Sequence, residues 1–151
     1  MLFRRVRAEF SDGVIDLLPL RLYPSEKEMG FGRVYDYMIV PHGTHREVGR
    51  ISLRMGESPC VYYFGHIGYH VDPPYRGNHY ARRACALLRP LIALHGKSSV
   101  VITTDPDNWA SRKTCLGLGC TLERTVAVPQ EIRDRWEISA VKCRYIWRID
   151  G

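Results

Sequence analysis

Apolar and polar residues alternate along several stretches in the first half of the chain, as they do in β-strands that bury one face. Residues 33–41 and 47–55 show this alternation, and the turn-forming residues between them predict a β-hairpin. An apolar run at 14–18 predicts an earlier strand. Residues 61–71 predict one long strand, because they are rich in Tyr, Phe, Ile and Val. Residues 19–32 hold Pro, Ser, Glu, Lys and Gly, and they are interpreted as a loop.

The clearest helix lies at residues 81–95, where apolar residues recur at helical spacing on one face. Gly96 follows as a natural C-terminal stop. Pro90 lies inside the pattern and should remove one hydrogen bond and bend the helix. The repeating face consists of Ala81, Ala84, Cys85, Leu88, Leu91, Ile92 and His95.

A second helix is predicted at residues 108–118, with Asp107 or Asn108 as its N-cap and Gly119 just after its end. The connection at 129–142 is polar and is expected to be exposed. Three further strands are predicted, at 100–104, 122–128 and 143–149. Antiparallel strands followed by strand–helix–strand–helix–strand–strand predict a mixed α/β sheet covered by helices.

Length and composition favour one domain spanning residues 1–151. No stretch of about 18 apolar residues predicts a membrane span, and no apolar segment of signal-peptide length follows the basic N-terminus. The five cysteines form no CxxC pair, so we expect neither a disulfide framework nor a zinc site, and no metal. Free, mostly buried thiols fit a reducing compartment, so we expect the protein to be cytoplasmic.

The net charge of +6 is concentrated in the middle third of the chain, where residues 51–100 hold six basic and two acidic residues. A polyanionic ligand fits this excess, although a solvated basic face is the simpler interpretation of charge alone. No recognition motif for nucleic acid accompanies the basic residues, so no nucleic-acid partner is expected. The excess lies around Arg76, Arg82, Arg83 and Arg89.

The segment from Val71 to Ala81 joins a predicted buried strand to the clearest helix. First-turn N–H groups lack intrahelical partners and lie at the positive end of the helix dipole, so they favour an anion. Gly77 allows a ligand close to the backbone, and Arg76 adds positive charge. These features predict a phosphate-binding turn, although many strand–helix turns bind nothing.

This segment resembles the cofactor-binding motif of the GNAT superfamily of N-acetyltransferases, which is written Q/R-x-x-G-x-G/A and follows Val-x-Pro-x-x. Val71, Pro73, Arg76 and Ala81 fall in register with that pattern, and an Arg-Gly pair begins at Arg76. His79 departs from the pattern, because it stands where the second glycine usually lies. A protonated His79 would add attraction for a phosphate.

Residues 107–119 resemble a second GNAT segment, Asn-x-x-Ala/Ser followed by Leu-Gly-Phe. Asn108 and Ser111 occupy the Asn and Ala/Ser positions, and Leu118 and Gly119 match the Leu-Gly pair. In the family this Asn and its helix flank the pantetheine arm, a role that Asn108 would take here. The alternative is that Asn108 is a plain helix N-cap.

The resemblance implies transfer of an acetyl group from acetyl-CoA directly to a primary amine of a small molecule or a protein. It implies a mostly antiparallel, twisted sheet of six to seven strands flanked by helices. Two of those strands, at 61–71 and 100–104, would splay apart and hold the pantetheine between them. The cofactor-binding residues implied are Val71, Arg76, Gly77, Asn78, His79, Tyr80, Ala81, Asn108 and Ser111.

Family members usually place two helices between their first and second strands, where they wall the acceptor site. Residues 19–32 are too few and too rich in loop formers for such helices. The region is therefore shortened, and the acceptor cleft is expected to be open or completed by a second subunit, as in a homodimer.

The proton-transfer groups are harder to assign. The family often has a Tyr seven residues after the motif Asn, but that position is Cys115 here. A thiol, with an unperturbed pKa of about 8.5, is able to donate a proton, although core packing explains Cys115 more simply. His66 and His70, four residues apart on the predicted strand, are candidate bases, and packing is their alternative too. Other candidate donors are Tyr62, Tyr63, Tyr69 and Tyr75.

A non-catalytic acyl-CoA-binding or regulatory module is the alternative function. The missing Tyr and the shortened acceptor wall favour it. Both hypotheses predict binding of acetyl-CoA, and only the enzyme hypothesis predicts release of the CoA thiol in the presence of an amine.

Overall fold

The computed structural model describes residues 7–150 and folds them around one sheet. Its eight strands are β1 (Phe10–Ser11), β2 (Ile15–Glu26), β3 (Gly32–Pro41), β4 (Gly49–Arg54), β5 (Ile67–Val71), β6 (Ser99–Thr104), β7 (Thr121–Ala127) and β8 (Val141–Arg148). They are ordered β1-β2-β3-β4-β5-β6-β8-β7 across the sheet. All neighbouring strands are antiparallel except β5 and β6. The mixed, mostly antiparallel sheet is confirmed, with one strand more than the expected six to seven.

Four α-helices connect the strands in the described residues: α1 (Pro59–Phe64), α2 (Tyr80–Leu94), α3 (Trp109–Gly117) and α4 (Gln130–Arg135). The helix predicted at 81–95 is confirmed as α2, which continues through Pro90. Its apolar face packs on the sheet and forms the centre of the core together with Ile51, Leu53 and Ile67. The residues of that face are Ala84, Cys85, Leu88 and Ile92, all buried.

The single long strand expected at 61–71 is wrong. Its first part belongs to α1, because Ser58 accepts a hydrogen bond from the backbone N–H of Val61 and Pro59 occupies the first helical turn. Gly65, at φ +82°, ends the helix. Only β5 remains as the strand that leads into the predicted phosphate-binding turn.

The loop expected at 19–32 is also wrong in part, because β2 continues to Glu26 and only residues 27–31 connect it to β3. Pro19 and Pro24 are tolerated within β2, because β1 pairs only with Asp16 and Leu17, which leaves the rest of β2 as an edge of the sheet. No helix lies between these two strands in the described chain, so the expected shortening is confirmed.

The polar connection at 129–142 was expected to be exposed. It is exposed only in part and contains α4. Ile132 is buried there, at 8% exposure, and Val128 is buried just before it, at 4%. The predicted hairpin is confirmed by β3 and β4, which pair from Val34 with Arg54 to Ile39 with Gly49.

None of the helices in residues 7–150 is long and apolar enough to cross a membrane. Residues 1–6 of the basic N-terminus lie outside the described residues. All five cysteines are free and buried.

Candidate cofactor and acceptor site

The two parallel strands at the centre of the sheet separate almost at once. β5 and β6 are paired only at Ile67 and Ile102. Beyond that pair, the stretch of β5 that runs to Val71 has β4 on one side and no strand on the other. An extended ligand with amide groups is able to hydrogen-bond to such a strand edge.

A cavity of about 420 Å³ lies where the starts of α2 and α3 approach this gap. We call this cavity the cradle. Eight of the nine predicted cofactor residues line it: Val71, Arg76, Gly77, His79, Tyr80, Ala81, Asn108 and Ser111. Asn78 does not line it, because its side-chain amide donates a hydrogen bond to the carbonyl of Tyr75 at 2.9 Å and so braces the turn.

The first turn of α2 is open to an anion. No side chain caps it and no acidic residue lies in it. By contrast, Ser58 caps α1 and Asn108 caps α3. The free N–H groups at the start of α2 therefore have no described side-chain acceptor to compete with a phosphate.

Two backbone positions shape the turn before α2. Gly77 has φ +89°, and a Cβ there would meet nothing within 4 Å, so the space beside it is open. His79 has φ +59° and is the only non-glycine residue with positive φ among the described residues. This left-handed conformation explains physically why a glycine is usual at the position of His79.

Only part of the basic cluster faces the cradle. Arg76 and Arg82 line it, and Lys113 of α3 lines it from the other side. Arg83 instead pairs with Asp12 at 2.9 Å. Arg89 is also directed elsewhere, since it donates a hydrogen bond to the carbonyl of residue 148. The positive charge at the cradle is therefore smaller than the sequence count suggests.

A second cavity, of about 400 Å³, lies deeper in the gap between β5 and β6. We call it the chamber. It shares Tyr69, Asn108 and Ser111 with the cradle, so the two cavities meet at these side chains. The rest of its wall comes from distant parts of the chain and includes Arg54, Gly68, Thr104, Asp105, Glu137, Ser139 and Lys142.

A pair of hydroxyl groups stands where the cavities meet. The hydroxyl of Tyr69 lies 2.6 Å from the Oγ of Ser111. Burial raises the pKa of Tyr69, so its proton stays on at neutral pH. The sequence contained a signal for this placement, because Tyr69 precedes Val71 by two residues and therefore shares its face of β5.

Asn108 is the N-cap of α3 and also lines the site. Its Oδ1 accepts a hydrogen bond from the backbone N–H of Ser111 at 3.1 Å, which is the N-cap of α3. Its side chain also lines both cavities. The cap fixes the first turn of α3 and thereby the position of Ser111 beside Tyr69.

The family profile described as "Acetyltransferase (GNAT) domain" matches residues 16–121, which include β2 to β6 and both cavity-forming helix starts. The chain belongs to the GNAT acetyltransferase family. No curated protein matches the chain significantly.

Solved structures of GNAT acetyltransferases share the fold. RimL, a ribosomal L7/L12 alpha-N-protein acetyltransferase, is 21% identical, with a TM-score of 0.57, over 78% of this chain and 71% of its own. The ribosomal-protein-S5-alanine acetyltransferase of Vibrio fischeri is 19% identical, with a TM-score of 0.60, over 78% of this chain and 63% of its own. The microcin C7 self-immunity acetyltransferase MccE, solved with acetyl-CoA and AMP, is 21% identical, with a TM-score of 0.57, over 76% of this chain and 61% of its own. This chain therefore spans about two thirds of the length of these neighbours.

Cys115, which stands at the position of the frequent GNAT tyrosine, is fully buried in the core and lines neither cavity. Its hydrogen bond with Cys120 and its burial raise its pKa. The Cys115 thiol therefore does not face the gap directly and contacts the Tyr69 side chain instead. We therefore do not retain Cys115 as a proton donor.

His66 and His70 do not form one catalytic face. His66 precedes β5 and is 6% exposed. Its Nδ1 accepts a hydrogen bond from the backbone N–H of Val101 at 2.9 Å, so its Nε2 carries the proton and donates to Glu57 at 2.6 Å. Burial lowers the pKa of His66, and it lines neither cavity. We interpret it as a structural link between β5 and β6.

His70, in contrast, is exposed and lines the cradle. Its Nε2 lies 2.9 Å from a carboxylate oxygen of Asp72. Within residues 7–150 no group of three or more His, Cys, Asp and Glu side chains is arranged to hold a metal ion.

Proposed function

We propose that this GNAT protein is an acetyl-CoA-dependent N-acetyltransferase that acetylates a primary amine of a small molecule or a protein. The observation that carries the proposal is that the two cavities adjoin at Tyr69 and Ser111. One cavity has the free helix N-terminus that a pyrophosphate needs. The other offers space for an acceptor beside the same two hydroxyl groups.

The residues of the cradle fit the cofactor in three respects. The uncapped start of α2, with Arg76 and Arg82, would hold the pyrophosphate. The open space beside Gly77 admits a phosphate close to the backbone. The free edge of β5 and the amide of Asn108 would accompany the pantetheine arm. Acetyl-CoA supplies the thioester, and the remaining chemistry is proton transfer.

We assign delivery of the proton for the leaving thiolate to the Tyr69–Ser111 pair, in place of the usual GNAT tyrosine. The two hydroxyls are hydrogen-bonded, and Tyr69 keeps its proton at neutral pH. The attacking amine must first lose its own proton. His70, exposed at the cradle, and Glu137, exposed at the chamber, are the groups that we propose to take up this proton.

The acceptor side is open, because no helix of residues 7–150 lies between β2 and β3, and the apolar residues Leu20, Leu22 and Tyr23 of β2 are exposed. We propose that this opening admits either a small amine or the flexible end of a protein, and that a second copy of the chain covers part of it. We also keep a cytoplasmic location as a proposal.

Ligand-dependent thermal unfolding tests the proposal at its first step. Acetyl-CoA and CoA at a hundredfold excess over their dissociation constants should stabilise the protein by about 2.7 kcal/mol. Dephospho-CoA should stabilise it nearly as well if the pyrophosphate provides most of the recognition. No shift with any of the three compounds would contradict the proposal.

Thiol release in the presence of an amine panel tests the second step. Release that depends on both acetyl-CoA and an amine is expected of the enzyme. The burial of Cys115 favours a second candidate function, a non-catalytic acyl-CoA-binding module. Stabilisation by acetyl-CoA without thiol release for any amine would support that second candidate.

A further inference from the structure

Arg54 brings an unpaired positive charge to the chamber. It is the last residue of β4 and is half-buried. Its Nη1 donates hydrogen bonds to the carbonyls of Phe64 and Gly65, both at 3.2 Å. Its guanidinium lies 4.6 Å from the ring centroid of Phe31. These contacts hold the side chain in place, but none of them neutralises its charge.

No carboxylate in the described chain forms an ion pair with Arg54. Burial lowers its pKa to about 10, and the more distant charge of Asp36 only partly opposes this. Neither its Nε nor its Nη2 donates to a described protein atom. A guanidinium presents its donors in a planar fork that matches both oxygens of a carboxylate. Arg54 therefore has unused donors of the kind that a carboxylate ligand accepts from.

Two neighbours suggest that this part of the chamber receives a ligand. A Cβ at Gly68 would lie 2.6 Å from Nη2 of Arg54, so the missing side chain lets the guanidinium extend over β5 at the gap. Thr104 also lines the chamber, and its hydroxyl is buried without a hydrogen-bond partner among the described residues. A buried hydroxyl of this kind normally has a partner.

The acidic groups of the chamber are arranged differently. Asp105 pairs with Lys142 at 2.7 Å and also accepts a hydrogen bond from Ser139. Glu137 is exposed and makes no ion pair in the described chain. The chamber thus combines an unneutralised cation, Arg54, with an unneutralised anion, Glu137.

We propose that the chamber selects an acceptor that carries a carboxylate as well as its amine, and that the guanidinium of Arg54 binds this carboxylate. The inference rests on the proposed acetyltransferase function and narrows its substrate to amino-carboxylates. Glu137 attracts the ammonium group of the same molecule before the ammonium loses its proton. Thr104 offers its hydroxyl to a polar atom of the acceptor.

The test uses matched pairs of amines that differ only in their acid group. Glycine, β-alanine, 4-aminobutyrate and 5-aminopentanoate form a series of increasing spacing, and the carboxamide of each is its partner. The measured quantity is the ratio of kcat/KM for each acid to kcat/KM for its amide, in the wild type and in Arg54→Gln. Arg50→Gln is the control, because it removes an arginine from the same strand and face that is already paired with Glu47 at 2.7 Å.

At one or more spacings, Arg54→Gln should lower the acid-to-amide ratio by about tenfold to a hundredfold, which is the usual range for a hydrogen bond to a charged group. Arg50→Gln should change it by less than about twofold. A purely structural role for Arg54 would lower both members of a pair equally and leave the ratio unchanged. Arg54→Lys, which keeps the charge without the fork, should restore part of the ratio.

An acid-to-amide ratio that Arg54→Gln leaves unchanged would overturn the inference, and so would thiol release with amides or peptides alone. Both results would leave the proposed acetyltransferase function standing. Absence of thiol release with every amine, together with absence of stabilisation by acetyl-CoA, would contradict the proposed function itself and the inference with it.

Discussion

The cradle and the chamber meet at Tyr69 and Ser111, but they are built in different ways. The cradle comes mainly from one continuous stretch, from the end of β5 to the first turn of α2, and its chief donors are backbone N–H groups. The chamber is assembled from residues of β4, the end of α1, β5, β6, the start of α3, the segment before β8 and the start of β8. The contrast suggests that the site for the shared cofactor is encoded locally, and the site for the acceptor is encoded by the whole fold.

The largest effect is expected from a negative charge placed in the cradle. Gly77→Glu should weaken the affinity for acetyl-CoA by more than about a hundredfold, because the carboxylate would stand beside the phosphates and like charges repel by several kcal/mol. Isothermal titration measures this change. Gly77→Gln is the matched control: it has the same shape and the same backbone strain, and should lose less than about tenfold.

Equal losses in Gly77→Glu and Gly77→Gln would show that backbone strain at φ +89°, and not charge, decides binding at this turn. Unchanged affinity for acetyl-CoA in both variants would show that the phosphates do not bind in the cradle. The cradle would then no longer be the site of the cofactor.

A smaller effect is expected at the junction of the two cavities. Tyr69→Phe should lower kcat by about tenfold to a hundredfold with little change in the KM for acetyl-CoA, because it removes a proton donor. Steady-state thiol release measures both constants. Tyr63→Phe, which removes a hydroxyl that lines neither cavity, should leave both constants unchanged. An unchanged kcat in Tyr69→Phe would show that the Tyr69 hydroxyl is not needed to deliver the proton.

The core beneath the junction should contribute to stability and not to chemistry. Cys115→Ala should keep kcat within about twofold of the wild type and lower the free energy of unfolding by about 1–2 kcal/mol, because it leaves a small void. Chemical denaturation and thiol release measure the two effects. Cys143→Ala, at another buried thiol, is the control for packing alone. A tenfold fall in kcat only in Cys115→Ala would return this thiol to the mechanism.

The smallest effect is expected from relieving the strain before α2. His79→Gly should raise the free energy of unfolding by up to about 1 kcal/mol, because glycine adopts φ +59° without steric cost. It should change the affinity for acetyl-CoA by less than about threefold. Thermal unfolding with and without acetyl-CoA measures both. A clear loss of affinity would show that the His79 side chain itself contacts the cofactor.

The cradle was predictable because its signals lie within two short segments, one from Val71 to Arg82 and one that begins at Asn108. The helical periodicity of α2, the glycine at position 77 and the Asn108 cap depend on short spacings that a sequence displays directly. The family profile then confirmed the GNAT resemblance that these spacings supported. Local spacing was sufficient to predict α2 and the turn before it, and the resemblance supplied the expectation that this turn binds acetyl-CoA.

The chamber was not predictable, because its parts are distant along the chain. Nothing near Arg54 indicates that its guanidinium extends over Gly68 without an acidic partner. The pair of Tyr69 and Ser111 joins residues 42 positions apart. Helix α1 was missed for another reason: its six residues include three aromatic side chains and a valine, which favour a strand, and the signals for a helix are the Ser58 cap, Pro59 in the first turn and Gly65 at the end.

The pairing of β5 with β6 at a single position also has a mechanical consequence. The sheet consists of two parts, β1 to β5 and β6 to β8, whose strands are paired at one position only, Ile67 with Ile102, next to the hydrogen bonds between His66 and Val101. A ligand lying along the free edge of β5 would hydrogen-bond to the first part of the sheet. It would also contact the start of α3, which follows β6 of the second part. A bound ligand would therefore make the connection between β5 and β6 more rigid, and amide hydrogen exchange would slow in both strands together.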